Sequence, residues 1–312
     1  MTELALNILD LCQNSTASGA DNLYLRIVRR NGWIEIAIED DGCGMDEHAR
    51  RQCFSPFFTT RTTRRIGLGL PLMQACARSC AGDVEIESER GRGTRLLARF
   101  RYDVLDCPPM GDLTGAVQVL SLTERPCLHF EYSGACGRVE LDMKDIRAAL
   151  GGLRADHPAV YAWIGEYLDE GLKRADGAQA LTAGEIFFGG AYTMKSITEL
   201  EAIRLATLEQ VNLRREHADA THVVIAMGTC GIAAGAKGVL KAFMAEANER
   251  GLLNMTVAQT GCMGYCSLEP MVEVTCPGAE KVLYTKVTPD MVGRIVAEHI
   301  VGGKPVEEYI AR

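Results

Sequence analysis

The chain carries no basic excess, no apolar run long enough to cross a bilayer, and no Cys-x-x-Cys pair. Its 33 Lys and Arg are outnumbered by 41 Asp and Glu, giving a formal net charge of -8 and a pI near 5.4. General nucleic-acid binding, which needs a basic surface, is therefore not expected. A membrane-spanning helix needs roughly 20 consecutive apolar residues, and no stretch approaches that, so membrane insertion is not expected either. Met1-Thr2-Glu3-Leu4 has neither the basic start nor the apolar core of a secretion signal, and a cytoplasmic location is the expectation. Without Cys-x-x-Cys, thiol–disulfide exchange is not the expected chemistry.

What is present is a 312-residue chain of ordinary composition, 47% hydrophobic and 24% charged, long enough for two or three domains. Twelve cysteines are many for a reducing compartment, where they are not expected to pair as disulfides. Cys12, Cys53, Cys76, Cys80, Cys107, Cys127 and Cys136 lack ligand-like partners in the sequence and read as small buried hydrophobes. The remaining clustered cysteines are candidates for metal or redox chemistry.

The N-terminal hundred residues read as a helix followed by two hairpins. Leu4, Ile8, Leu11 and Cys12 recur at helical spacing, and Asp10 and Asn14 lie four apart on one face. Alternating strands are expected at 23–28 and 33–39, with Asn31-Gly32 as the hairpin turn between them. Then come Asp40-Asp41-Gly42-Cys43-Gly44, a loop with Arg61, the pair Gly67-Leu68-Gly69, a helix over 71–79, and a strand pair turning through Gly91-Arg92-Gly93-Thr94. An adenine needs a fixed acceptor for its amino group. A triphosphate needs magnesium and glycine-rich backbone at a helix N-terminus.

In this order, the motifs resemble the GHKL (Bergerat) nucleotide-binding domain shared by sensor histidine kinases, MutL, gyrase and a heat-shock chaperone. The resemblance implies that Asp40 binds the adenine amino group and that Gly42 and Gly44 let backbone approach the base. It implies that Asn14 holds magnesium and that Gly67 and Gly69 close over the phosphates; Thr94 matches a threonine common late in the fold. Arg61, with Arg64 and Arg65, is a candidate phosphate contact, a solvated basic loop being the alternative. The family's water-activating glutamate falls on Asp10, one methylene shorter, so hydrolysis and nucleotide sensing both stay open. No helical hairpin with a phosphoacceptor histidine precedes the domain, so autokinase activity is not expected.

Residues 104–193 read as a small α+β extension with a docking role. A strand pair is expected around Ser133-Gly134, a helix capped by Asp142, and another starting at His157-Pro158. Met194 then opens a fresh charged helical pattern, as a fused second protein would.

The C-terminal part holds Gly228-Thr229-Cys230-Gly231 in a strand-to-helix loop and Thr260-Gly261-Cys262-Met263-Gly264-Tyr265-Cys266 between two expected strands. Two thiols four positions apart, with glycine between them, can point into one hollow around an inorganic core. Strand, helix, strand, hairpin and helix follow in turn. This part resembles the thioredoxin-like 2Fe-2S ferredoxins and the related small subunits of NAD(P)-linked [FeFe] hydrogenases. The resemblance implies a one-electron carrier with Cys230, Cys262 and Cys266 as ligands. The family's other first-loop cysteine falls near Ala226, and Cys276 lies roughly 15 Å away along a strand at about 3.3 Å per residue. The fourth ligand stays open among an oxygen or nitrogen donor and a partner's residue. A bare docking module and a zinc site are the alternatives.

The expected architecture is α/β (α+β). It comprises a Bergerat-type ATP-binding sandwich at 1–103, the extension at 104–193, and a thioredoxin-like ferredoxin domain at 194–312. The expected cofactors are a 2Fe-2S cluster and ATP with magnesium. The expected role is an electron-transfer subunit whose partners are other subunits of a hydrogenase or NAD(P)H oxidoreductase complex. A signalling ATPase or protein kinase is the rival.

Overall fold

The computed structural model describes residues 3–56, 69–177, 200–205, 220–252 and 254–310. Helix α1 (Leu4–Ala17) leads into strands β1 (Asn22–Arg30) and β2 (Trp33–Asp40), which pair antiparallel from Leu23↔Asp40 to Arg30↔Trp33. The turn between them is Asn31-Gly32, with φ of +53° and +80°, the two left-handed residues that a tight hairpin with the native strand twist requires. Helices α2 (Glu47–Gln52) and α3 (Gly69–Ser79) precede β3 (Asp83–Glu89) and β4 (Gly93–Arg101). In β1, Leu23, Leu25 and Ile27 are buried and Tyr24 is exposed. One face of the sheet thus meets the helices and the other meets solvent.

The segment past residue 103 does not form a separate layer. Helix α4 (Leu113–Ser121), which sequence pattern did not announce, is followed by β5 (Cys127–Ser133) and β6 (Arg138–Asp142). Strand β5 lies parallel to β1, from Asn22↔Cys127 to Val28↔Ser133. The sheet therefore has six strands in the order β3-β4-β2-β1-β5-β6. Asp142 caps α5 (Met143–Leu150) and His157 caps α6 (Pro158–Ala175), as expected from sequence.

The C-terminal sheet is built from β7 (Thr221–Ala226), β8 (Met255–Thr260), β9 (Val272–Thr275) and β10 (Val282–Tyr284), ordered β10-β9-β7-β8. Strands β7 and β8 are parallel, and β9 is antiparallel to β7. A βαβ unit followed by a hairpin in this order is thioredoxin-like topology. The helix expected from Ala234 to about Arg250 is α8 (Ala236–Glu249), and the loop expected before it holds a short helix, α7 (Thr229–Ala233), that ends before Gly235 with φ +100°. Val239, Leu240, Phe243 and Ala247 recur on the buried stripe of α8, each large side chain contributing about 1.5–3 kcal/mol on burial. Helix α9 (Pro289–Arg294) continues into a π-helical turn, Ile295–Val301. Most of the charged helical pattern that opens at Met194 lies outside the described residues; within it, 200–205 are described and helical. No described helix is long and apolar enough to cross a membrane.

Candidate functional site

The first candidate site forms where β2 and β4 end beside α1. Asp40 is the last residue of β2 and pairs in register with Thr94 of β4. Its Oδ2 accepts from the Ser15 hydroxyl at 2.8 Å, and its Oδ1 accepts from the Gly42 amide at 3.0 Å. A carboxylate has about four lone-pair positions, so Asp40, held in one rotamer, keeps acceptor capacity for an amino group. Gly44 has φ +61°, and a Cβ there would stand 2.1 Å from the Glu89 carbonyl oxygen; only glycine fits. The Thr94 hydroxyl is 2.9 Å from that of Ser88, which accepts from the Met45 amide at 2.8 Å. Asp40, Arg50, Ser88, Arg92 and Thr94 help line an open cleft of about 470 Å³, within the 300–1,000 Å³ usual for small-molecule sites.

Asn14 is exposed on α1, one turn after the buried Asp10. The second glycine motif meets the same helix, for a Cβ on Gly69 would lie 2.5 Å from Asp10 Oδ2. Gly69 is also the first residue of α3, which places the positive end of that helix beside the site. Arg61 and Gly67 lie outside the described residues. Cys12 is fully buried; burial pushes its thiol far above the ordinary range, and the nearby charges of Asp40 and Asp10 add to this. It acts as core, as its sequence context implied.

The second candidate site is formed by the two cysteine loops. They leave β7 and β8 side by side: Ala226 pairs with Thr260, and the Met227 amide donates to the Thr260 carbonyl at 2.8 Å. Cys262 Sγ and Cys266 Sγ are 3.7 Å apart. Tetrahedral coordination with metal–thiolate bonds of about 2.3 Å requires an S···S edge of about 3.8 Å, so this pair already fits one metal ion. Gly264, at φ +92°, directs its amide at Cys262 Sγ from 3.4 Å, the kind of hydrogen bond that tunes cluster thiolates. Cys266 and Tyr265 are exposed, so the pair faces outward. Cys276 is elsewhere: Thr275 pairs with His222 at the opposite end of β7, and Cys276 Sγ contacts the His299 carbonyl at 3.9 Å.

The two sites share helix α1. The Thr229 hydroxyl, one residue before Cys230, donates to Asp10 Oδ1. Gln13 Nε2 donates to Gln259 Oε1 at 2.8 Å, and Gln259 Nε2 donates to the Val119 carbonyl of α4 at 2.7 Å. Farther along, Lys241 Nζ lies 2.6 Å from Asp112 Oδ2, and Lys237 Nζ donates to the Asp112 carbonyl at 2.9 Å. Burial alone would raise the Asp112 carboxyl, but Lys241, the Gly115 amide and Lys237 together hold it well below the usual carboxylate range. Thr229, Gln13 and Gln259 carry no local sequence signal, because their role exists only once the halves meet. A further donor group, Cys127, His129 and Asp142, lies on β5 and β6 with its atoms within 4.8 Å. There His129 Nδ1 is 2.8 Å from Asp142 Oδ2 and its ring stacks on Tyr24.

Comparison with known proteins separates the halves in the same way. Residues 1–104 match the family described as histidine kinase-, DNA gyrase B-, and HSP90-like ATPase. Over 118 residues the chain is 34% identical to the NADP-reducing hydrogenase subunit HndB of Solidesulfovibrio fructosivorans, covering 38% of this chain and 91% of that protein. It is 38% identical over 78 residues to a 2Fe-2S ferredoxin of Aquifex aeolicus, covering 24% of this chain and 68% of that one. It is 34% identical over 100 residues to the tetrathionate sensor histidine kinase TtrS of Salmonella typhimurium, 31% of this chain but only 17% of the kinase. The chain thus belongs to the family of thioredoxin-like 2Fe-2S ferredoxins and HndB-type subunits, with a histidine-kinase-like ATPase domain joined to it.

Proposed function

We propose that this chain is an accessory electron-transfer subunit of an NAD(P)-linked [FeFe] hydrogenase or related NAD(P)H oxidoreductase complex, in which a nucleotide site bears directly on an iron–sulfur site. The observation that carries this reading is the attachment of α1 to the first cysteine loop through Thr229–Asp10 and to the end of β8, which leads into the second, through Gln13–Gln259. A [2Fe–2S] cluster supplies one-electron transfer when bound. Cys230, Cys262 and Cys266 would hold it, with the Gly264 amide steadying Cys262 and the exposed Tyr265 at the rim toward a partner. In the N-terminal site Asp40 would accept from the adenine amino group, Asn14 would hold magnesium, and the start of α3 would face the phosphates. Asp10 is short for a general base, and its Oδ1 is already engaged by Thr229, which favours nucleotide sensing over rapid hydrolysis.

Anaerobic purification, with iron and acid-labile sulfide assays and calorimetric titration of a non-hydrolysable ATP analogue, tests both halves. Both ligands bound is the expected outcome. A chain that holds no iron after anaerobic reconstitution overturns the electron-transfer role. The second reading is a signalling ATPase or protein kinase that uses its C-terminal domain for docking. It is favoured by the ATPase family match and the sensor-kinase relative, and it predicts phosphotransfer or phosphate release without iron.

A further inference from the structure

The solvent face of the six-stranded sheet carries a third group of donors, used by neither site above. Cys127 and His129 are two apart on β5, so their side chains leave the same face. Asp142 of β6 pairs in register with His129, which sets neighbouring Cβ atoms about 5 Å apart. The face is the outer one, for Leu128, Phe130 and Leu141 are buried in the core on the other. Cys127, expected from its context to be a small buried hydrophobe, is half-buried on this face instead. One donor atom from each of the three lies within 4.8 Å of the others. A tetrahedral ion with bonds of about 2.0–2.3 Å needs donors about 3.3–3.8 Å apart, so side-chain shifts of about 1 Å or less close the set.

The hydrogen bonds around His129 point to a cation. Its Nδ1 faces Asp142 Oδ2 at 2.8 Å, and its Nε2 faces Asn22 Oδ1 at 3.4 Å. The Asn22 amide is oriented by its own donation, Nδ2 to Asp41 Oδ2 at 2.7 Å, so the atom it turns to the ring is an acceptor. A neutral imidazole has one N–H and cannot satisfy acceptors at both nitrogens. A metal ion between Nδ1 and Oδ2 satisfies both, since Nε2–H then donates to Asn22, the outer hydrogen bond that orients a metal-bound histidine. Asp142 Oδ1 is held by the Lys144 amide at 2.8 Å, which leaves Oδ2 toward the ring. The Arg147 guanidinium, whose charge reaches Cys127, is bound by the Thr123 and Glu124 carbonyls. His129 and Asp142 also line an open cleft of about 320 Å³, charged by Arg26 against Glu39, Glu131 and Glu140.

We propose that Cys127, His129 and Asp142 form a zinc site on the outer face of the sheet, with its fourth position open to this cleft. A mixed sulfur, nitrogen and oxygen set selects zinc over magnesium or calcium, which take oxygen donors. Three protein ligands and one open position is the arrangement in which zinc keeps a water or accepts a small anionic ligand. The site is independent of the cluster-binding reading of the cysteine loops.

The test uses the full-length chain carrying Cys230→Ser, Cys262→Ser and Cys266→Ser, so that the cysteine loops take no metal, with zinc and cobalt(II) as probes and no nucleotide. Zinc per chain, competition with a chromophoric chelator, the cobalt absorption spectrum and the melting temperature with and without zinc are read. They are read for this parent and for Cys127→Ser, His129→Gln and Asp142→Asn added to it. The parent should bind one zinc per chain, melt higher with it, and give a tetrahedral cobalt spectrum with a thiolate-to-cobalt band. Each added substitution should weaken zinc at least about tenfold, the loss that removing even an outer partner of a ligand causes. Cys127→Ser should also remove the thiolate band. Cys127→Ser keeps the shape and Asp142→Asn keeps the cap of α5, so their metal-free forms should melt with the parent. A parent that takes up no zinc, or binds it equally after Cys127→Ser, overturns the site and leaves a protonated His129–Asp142 pair only. Cobalt bound without the thiolate band overturns it too. Should the parent fold poorly, zinc per chain is compared between wild type and Cys127→Ser, where one zinc fewer in the variant is expected and no difference overturns the assignment.

Discussion

The two candidate sites are built in opposite ways. The N-terminal one is local: Ser15, Asp40, Gly42 and Thr94 come together through one helix and one pair of adjacent strands. The C-terminal one gathers two loops that leave adjacent parallel strands. A site made within one sheet leaves a contiguous motif in the sequence. A site made between loops leaves only fragments, and its completeness cannot be judged until the loops are placed. The contact between the two sites belongs to neither motif: Thr229 on Asp10 and Gln259 on Gln13 join the first loop and the end of β8 to the same helix.

That contrast can be broken by separating the sites. Cys262→Ser should abolish most cluster iron while leaving affinity for an ATP analogue within about twofold, because Cys262 touches nothing of α1 that bears on adenine. Asp40→Ala should do the reverse. Losing a half-buried, charge-assisted acceptor costs about 1.5–3 kcal/mol, or roughly 10- to 100-fold in calorimetric affinity, with iron content unchanged. If either variant damages both sites equally, the halves are one cooperative unit and the contrast fails.

The junction supplies a smaller effect with a defined pH window. Asp112 caps α4 and pairs with Lys241 and Lys237; asparagine keeps the cap but not the charge, so Asp112→Asn should cost about 1 kcal/mol, read as a lowered melting temperature. The folded Asp112 carboxyl lies below its ordinary value, so its contribution is complete above the unfolded pKa near ~4 and is lost as pH falls through the folded value. The gap between wild type and Asp112→Asn should be constant from about pH 5 to 8 and close below about pH 4 as the wild-type carboxyl protonates. A gap that persists in acid would mean that the charge on Asp112 does not carry the effect.

The smallest expected effect sharpens the comparison most. Thr229→Val keeps the side-chain shape and removes the hydroxyl that holds Asp10, costing about 1 kcal/mol of stability. The midpoint potential of the cluster should then respond less to added ATP analogue than in wild type, as measured by anaerobic redox titration. An unchanged response would place the coupling in Gln13–Gln259 alone.

Much of this was legible in the residues. Asn31-Gly32, the alternating strands around it, the Asp142 and His157 caps and the β-α-β-β-α order of the C-terminal part were readable because each depends on neighbours within a few positions. The addition of β5 beside β1 was not, because a parallel pairing across about a hundred residues leaves no periodic mark. The short helix α7 in the first cysteine loop went unread because Thr229 to Ala233 is too brief to show a period. Ser15 was invisible as the partner of Asp40, since a serine on an amphipathic helix is ordinary until the end of β2 is laid against it.

By itself the sequence determined the classes of chemistry. A glycine motif with an acidic acceptor and a cysteine pair spaced for one metal ion are demands of the ligand on the backbone, and the backbone meets them locally. The tertiary structure alone decided how those chemistries are connected and completed. Burial of apolar faces on α4, α6 and α8 brings the halves together, and only then do Asp10 meet Thr229 and Gln13 meet Gln259. Pairing of β7 with β8 likewise brings the two cysteine loops side by side, which neither loop's own residues foretell.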